Sequence, residues 1–238
     1  MYGWGEGMHE FVAWPKTPRL FRDVVITEKL DGTNSAVHIT AVSDWREAAE
    51  YPLDSYGVTV DGTIYVLTAQ SRKRIITPGK TTDNFGFAAW VYDNAADLVR
   101  ILGEGLHYGE WWGKGIQRGY GLDGRRFSLF NTARWFATGE DGLDSMSTRA
   151  ETSALAGQID VAPVLYQGPF AESVIWRCVD DLREFGSTAV PGFESPEGVC
   201  VFHTATRQVW KVTTDVPASN PHSLDVRRDA GKWEAEAA

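Results

Sequence analysis

Only two stretches of this 238-residue chain carry apolar residues at helical spacing, and strand-like runs surround both. In residues 83–102, Phe87, Val91, Leu98 and Leu102 recur with the helical period and Gly103 marks the stop. In residues 171–185, Val174, Ile175, Cys178, Leu182 and Phe185 fall on one side, and Gly186 follows. Strands are predicted at Val24-Val25-Ile26, 35–42, 106–112 and 127–135, with a hairpin from 58–60 to 64–67 through the Asp61-Gly62 turn. Residues 199–203 and 208–213 read as a second hairpin pair. Strands outnumber helices and do not alternate with them, which predicts an α+β domain of antiparallel sheets flanked by helices. No internal repeat or low-complexity linker divides the chain, so one domain is expected over residues 1–215. A polar tail over 216–238 is expected to fray.

Composition removes several function classes. A formal net charge of −9 argues against a non-specific nucleic-acid coat protein, but not against an enzyme with a local cationic groove. Basic residues cluster at Arg72-Lys73-Arg74 with Lys80, at Lys114 with Arg118, and at Arg125-Arg126. Two cysteines, Cys178 and Cys200, are too few for a disulfide framework and fit a reducing compartment. Cys178 is expected in a core. The five histidines, His9, His38, His107, His203 and His222, show no metal-ligand spacing, and His38 and His203 read as strand residues. No apolar run resembles a signal peptide or spans a bilayer, so a cytoplasmic protein without a membrane partner is expected. Trp45, Trp90 and Trp176 are assigned to core or interface, and Trp111 and Trp112 to either packing or a site. Gly79-Lys80-Thr81 is not a phosphate-binding loop, because the pattern needs a glycine where Arg74 stands and a leading apolar strand.

Chemistry concentrates in five short segments. Glu28-Lys29-Leu30-Asp31-Gly32-Thr33-Asn34 follows the apolar strand at Val24-Val25-Ile26, which holds a lysine at a rigid strand end. An uncharged lysine amine is a nucleophile, so this placement suits covalent catalysis. Gly109-Glu110-Trp111-Trp112-Gly113 sets one acid among aromatics, and Phe127-Ser128-Leu129-Phe130-Asn131 can offer a flat ring to a base. Glu197-Gly198-Val199 starts a strand with an acid, and Trp210-Lys211-Val212 carries a lysine inside an apolar strand, where an unpaired charge is costly.

In this order the segments resemble the motifs of the covalent nucleotidyltransferase superfamily of ligases and RNA-capping enzymes. The chain most resembles its ATP-dependent RNA ligase branch, of the nick-sealing RNA-repair type. The resemblance implies an ATP-grasp-like nucleotidyltransferase domain that uses ATP and Mg²⁺ or Mn²⁺. It would join a 3′-hydroxyl to a 5′-phosphate through a lysyl-AMP intermediate.

It also implies roles for individual residues. Lys29 attacks the α-phosphorus, once neighbouring cations or a bound metal have made its amine neutral. Lys211 is a neighbouring cation that holds the α-phosphate, and Glu197 binds the metal. Asp31 assists near the ribose or a metal-bound water. Glu110 accepts from a ribose hydroxyl, and Phe130 stacks on adenine, with Phe127 as the alternative. Arg72 contacts ribose and the acceptor end, with Arg74 competing for that role. Glu28, directly before the nucleophile, is grouped with the nucleotide-binding residues.

Two departures from the family pattern stand out. The last motif commonly carries two lysines flanking one residue, and here Val209 and Thr213 flank Lys211, so one phosphate contact is missing or supplied elsewhere. The chain also ends soon after Lys211, without the appended domain that many such ligases use to grip RNA. Expected partners are therefore RNA ends, with nicked duplex as the leading form, and a partner protein as a candidate source of RNA grip. The competing readings are a DNA ligase or capping guanylyltransferase on the same scaffold, or a protein that binds nucleotides or RNA ends without sealing.

Overall fold

The computed structural model describes residues 13–52, 54–135 and 150–215. His9 and the tail expected over 216–238, which includes His222, lie outside them. Two sheets carry the architecture. Strand β1 (Asp23–Lys29) is central in the first, between β9 (Val164–Pro169) and β10 (Gly198–His203), with β11 (Gln208–Thr213) outermost. All its pairings are antiparallel. The second sheet runs in the order β3 (Tyr56–Val60), β4 (Thr63–Ser71), β2 (Thr33–Val42), β6 (Gly105–Gly113), β7 (Arg125–Leu129), β8 (Ile159–Val161). The short β5 (Ile75–Ile76) also pairs with β4. β7 and β8 run parallel; the other pairs are antiparallel.

Period-2 alternation decides which face each residue takes. On β1, Val24 and Ile26 pack with Val199, Val201 and Val212 against helix α5 (Glu172–Phe185). Val25, Thr27 and Lys29 therefore face the other way. In the second sheet, Val37, Ile39, Leu67, Ala69, Trp111, Phe127 and Leu129 form a core with α2 (Phe87–Asp93) and α3 (Ala95–Leu102). Asn34, Glu110 and Ser128, paired across β2, β6 and β7, occupy the opposite face. Because β1 runs into β2 through only Leu30-Asp31-Gly32, the chain turns from one sheet to the other directly behind Lys29.

Four sequence expectations are corrected. The helix expected over 83–102 is two helices. The Asp83 carboxylate accepts from the backbone N–H groups of Asn84, Ala88 and Ala89, so helix begins only at Phe87. Asn94 then leaves helical geometry (φ −115°, ψ 18°) as its side-chain amide donates to the Trp90 carbonyl, the local competition for which asparagine is disfavoured inside helices. The strand expected over 127–135 stops at Leu129. Asn131 Oδ1 accepts from Arg134 N (3.1 Å) and starts a helical turn, α4 (Thr132–Trp135). Phe185 is 72% exposed, since α5 ends there, and Val179 completes the buried stripe instead. Of the two places assigned to Trp45, core or interface, the core is ruled out: the ring is 54% exposed in α1 (Trp45–Ala48) and lies over Gly57. Among the described residues no helix is long and apolar enough to cross a membrane.

Candidate active site

Lys29 ends β1 opposite Gly198, the residue after Glu197, and its Nζ donates to Glu197 Oε2. The two residues are 168 positions apart, so only the β1–β10 pairing can bring them together. Gly198 has φ +148°, and a Cβ there would lie 2.1 Å from the Val212 carbonyl oxygen. Glycine at this position lets β10 and β11 close behind Glu197. The turn after Lys29 is equally tight, for a Cβ on Gly32 would meet the Trp111 carbonyl oxygen at 2.4 Å.

Three side chains fasten that turn. Glu110 Oε1 accepts from Gly32 N (3.1 Å), and the Tyr120 hydroxyl accepts from Asp31 N (3.0 Å). Arg118 Nε donates to Asp31 Oδ2 (3.0 Å), while Arg118 Nη1 donates to the Ser195 carbonyl (3.0 Å), two residues before Glu197. Arg118 and Tyr120 lie on the loop between β6 and β7. Tyr120 is fixed there by packing on Trp112, Phe193 and Leu30. The sequence reading saw Arg118 only as a basic-cluster residue and gave Tyr120 no role.

Burial dominates the electrostatics. Desolvation pushes the Glu110 carboxyl up to about 8, against the opposing pull of Lys29 and the Gly32 N–H. It likewise pushes the Cys200 thiol up to about 11, so this cysteine is uncharged at neutral pH. Cys200 pairs with Thr27 on one side and Lys211 on the other. That register puts Lys211 and Cys200 on the same face as Lys29, making Cys200 a floor residue that sequence reasoning left unassigned. Trp112 Nε1 donates to Ser128 Oγ (2.7 Å), which donates in turn to Asp160, whose carboxyl burial raises to about 6.

The other expected site residues divide. Phe130 extends the β6–β7 ladder by donating its N–H to the Tyr108 carbonyl (3.0 Å), two residues before Glu110. Phe127, its alternative, is buried against Phe87 and Trp90 on the far face and cannot stack on a ligand. Trp111 and Trp112 are both buried. Arg72 stands exposed just past β4, two strands from β6, and Arg74 is held within its own loop by the Thr82 carbonyl (3.0 Å).

Glu28 is not brought to the cleft. By alternation it faces away from Lys29, and it is 1% exposed. Its carboxylate accepts from Ser187 Oγ (2.6 Å), Thr188 N (2.8 Å) and Ala189 N (2.9 Å), while burial raises its pKa above the usual carboxylate range. Its side chain serves to hold the loop at 187–189.

Among the described residues no three His, Cys, Asp or Glu gather into a metal cage. The donor set fits a different mode. Magnesium commonly keeps several waters and binds one or two carboxylates together with substrate phosphates. Glu197, beside Lys29, offers one hard oxygen ligand of that kind.

No curated protein matches the chain. Among solved structures, Naegleria gruberi RNA ligase in a lysine-to-alanine variant with ATP and Mn aligns at 13% identity and TM-score 0.49, over 82% of this chain and 50% of that one. An arginine-to-alanine variant with ATP and Mn gives 14% and 0.48, over 82% and 51%. A glutamate-to-alanine variant with AMP and Mn gives 14% and 0.46, over 82% and 50%. The chain thus spans about half the length of these structures. The RNA ligase family model matches residues 22–213, from the start of the first sheet to the end of β11 and across every segment that builds the cleft. The chain belongs to the RNA ligase family.

Proposed function

We propose that this chain is the nucleotidyltransferase domain of an ATP-dependent RNA ligase and that Lys29 is its nucleophile. The observation that carries this reading is the convergence of Lys29, Asp31, Glu110 and Glu197 from three segments at the turn between β1 and β2, with Lys29 Nζ on the Glu197 carboxylate. Lys29 Nζ attacks the α-phosphorus of ATP and forms an N–P bond. The α–β bridging P–O bond breaks, pyrophosphate leaves with its electron pair, and the nitrogen loses its proton to solvent. AMP then passes to an RNA 5′-phosphate, and attack by a 3′-hydroxyl releases it.

The chain's residues divide this work. Glu197 holds Lys29 before the nucleotide binds, which keeps the side chain aimed into the cleft. Lys211, on the same face, steadies the α-phosphate. Glu110 meets the ribose, and as a largely protonated acid near pH 7 it can donate as well as accept. Phe130 borders the nucleobase and Arg72 the acceptor end. A divalent ion held by Glu197 and the phosphates would supply charge neutralisation for the departing pyrophosphate. Asp31 lies close enough to assist there.

The resemblance to nick-sealing RNA-repair enzymes supports nicked duplex RNA as the preferred substrate. The two free cysteines support work in a reducing compartment such as the cytoplasm. The test incubates protein with α-labelled ATP or GTP and Mg²⁺ or Mn²⁺, then separates it under denaturing conditions. Nicked RNA and DNA duplexes run in parallel lanes. A covalent adduct with ATP that disappears in Lys29→Ala is the expected result, and an adduct that persists in the folded variant removes the assignment.

A further inference from the structure

We infer that Arg118 is a phosphate-binding residue of this site, taking the β- and γ-phosphates of the incoming nucleotide and thereby standing in for the second lysine that the β11 segment lacks. The inference rests on the reading of Lys29 as an ATP-directed nucleophile. Its starting point is charge. A nucleoside triphosphate brings about four negative charges to a site that already holds the acidic side chains of Asp31 and Glu197. Lys29 must act uncharged, which leaves Lys211 as the expected cation of β11, flanked by Val209 and Thr213.

Arg118 is a further cation beside the turn after Lys29. It contacts Asp31, two residues after Lys29, and the Ser195 carbonyl, two residues before Glu197, so its guanidinium bridges the two segments that carry Lys29 and Glu197. Arg118 and Lys211 both lie within electrostatic reach of Asp215, just past β11. The Asp215 carboxyl, exposed at the end of β11, is held below its usual range first by the Thr213 hydroxyl, and Arg118 and Lys211 both contribute.

Two of the guanidinium's five N–H donors are spent in these contacts, each on a single oxygen. The Asp31 contact is an ion pair with Arg118 39% exposed, the kind that water weakens and that a phosphate can outbid through paired charge-assisted bonds. The loop that carries Arg118 is built to hold it over the turn. Gln117 and Tyr120 both take left-handed φ values (44° and 54°), and the Tyr120 ring is anchored on Trp112 and Phe193. When a phosphate takes the guanidinium, the Asp31 carboxylate is freed toward the metal and its waters, which is where the sequence reading placed it.

The experiment compares phosphate number. Binding of AMP and of α,β-methylene-ATP, each with Mg²⁺, is measured by titration calorimetry for the wild-type protein, Arg118→Ala and Arg118→Lys. Thermal midpoints check the fold of each. We expect Arg118→Ala to weaken the triphosphate analogue at least about tenfold while AMP changes by less than about threefold, and Arg118→Lys to recover part of the loss. A residue that only braced the Asp31 turn would weaken both ligands alike, and that result, or no loss at all, overturns the inference. Covalent labelling of the wild-type protein is run alongside. An adduct in wild type with equal losses for the two ligands in Arg118→Ala defeats this inference alone, whereas no adduct and no triphosphate binding in wild type defeats the nucleophile reading as well.

Discussion

Replacing Glu110 by glutamine isolates one proton in the stability of this fold. Burial pushes the Glu110 carboxyl from 4.5 up to about 8, so the native state holds a proton there that the unfolded chain releases. The sign follows from linkage. For a raised carboxyl the stabilisation is complete below about 4.5 and is lost as pH climbs through about 8, so the nucleotide-free protein weakens across this window. At about 1.4 kcal/mol per unit, the rise caps the loss at about 5 kcal/mol. Glu110 keeps partial exposure, and screening brings the expected loss to about 2 kcal/mol. Glutamine mimics the neutral acid and keeps an oxygen for the Gly32 N–H. Urea unfolding at pH 5, 7 and 9, without nucleotide or metal, reads the difference. Wild type is expected to lose about 1 M in midpoint relative to Glu110→Gln between pH 5 and 9, with the two proteins alike at pH 5. Parallel pH profiles for the two proteins would refute the claim that burial holds this proton.

Two further substitutions test the frame around Lys29. Glu28→Ala strands three donors, the Ser187 hydroxyl and the Thr188 and Ala189 N–H groups, and is expected to cost about 2–4 kcal/mol by urea unfolding. Direct nucleotide contact by the Glu28 carboxylate would instead show as weakened AMP binding with stability unchanged. Gly198→Ala puts a Cβ 2.1 Å from the Val212 carbonyl oxygen at φ +148°, so β10 and β11 must part. A thermal midpoint unchanged within about 2 °C would contradict the close approach, since the strain expected is about 2 kcal/mol or more.

The cleft residues that were legible in the sequence are those whose chemistry is local. Lys29 and Asp31 share one turn, and Glu197 and Lys211 stand beside or within an apolar strand, so short motifs in the order of a known family pointed to them. Glu28 was misplaced even though the rule that corrects it was in reach. If Lys29 faces the cleft at the end of a strand, its neighbour faces the opposite layer. The same alternation, carried from Gly198 to Cys200, would have put that thiol on the floor of the site. Arg118 is a different case. Its bond to Asp31 spans 87 residues and depends on a loop with two left-handed residues, and no local pattern encodes such a meeting. The split of the helix at Asn94 falls between these cases, because asparagine's taste for local hydrogen bonds is a sequence signal, yet Phe87, Val91 and Leu98 keep the apolar stripe running through it. Motifs thus point to candidate groups that sit close together in the chain, while the groups that hold them in place come from contacts between distant segments. A phosphate cation supplied from the β6–β7 loop rather than from β11 is the kind of replacement such patterns cannot report.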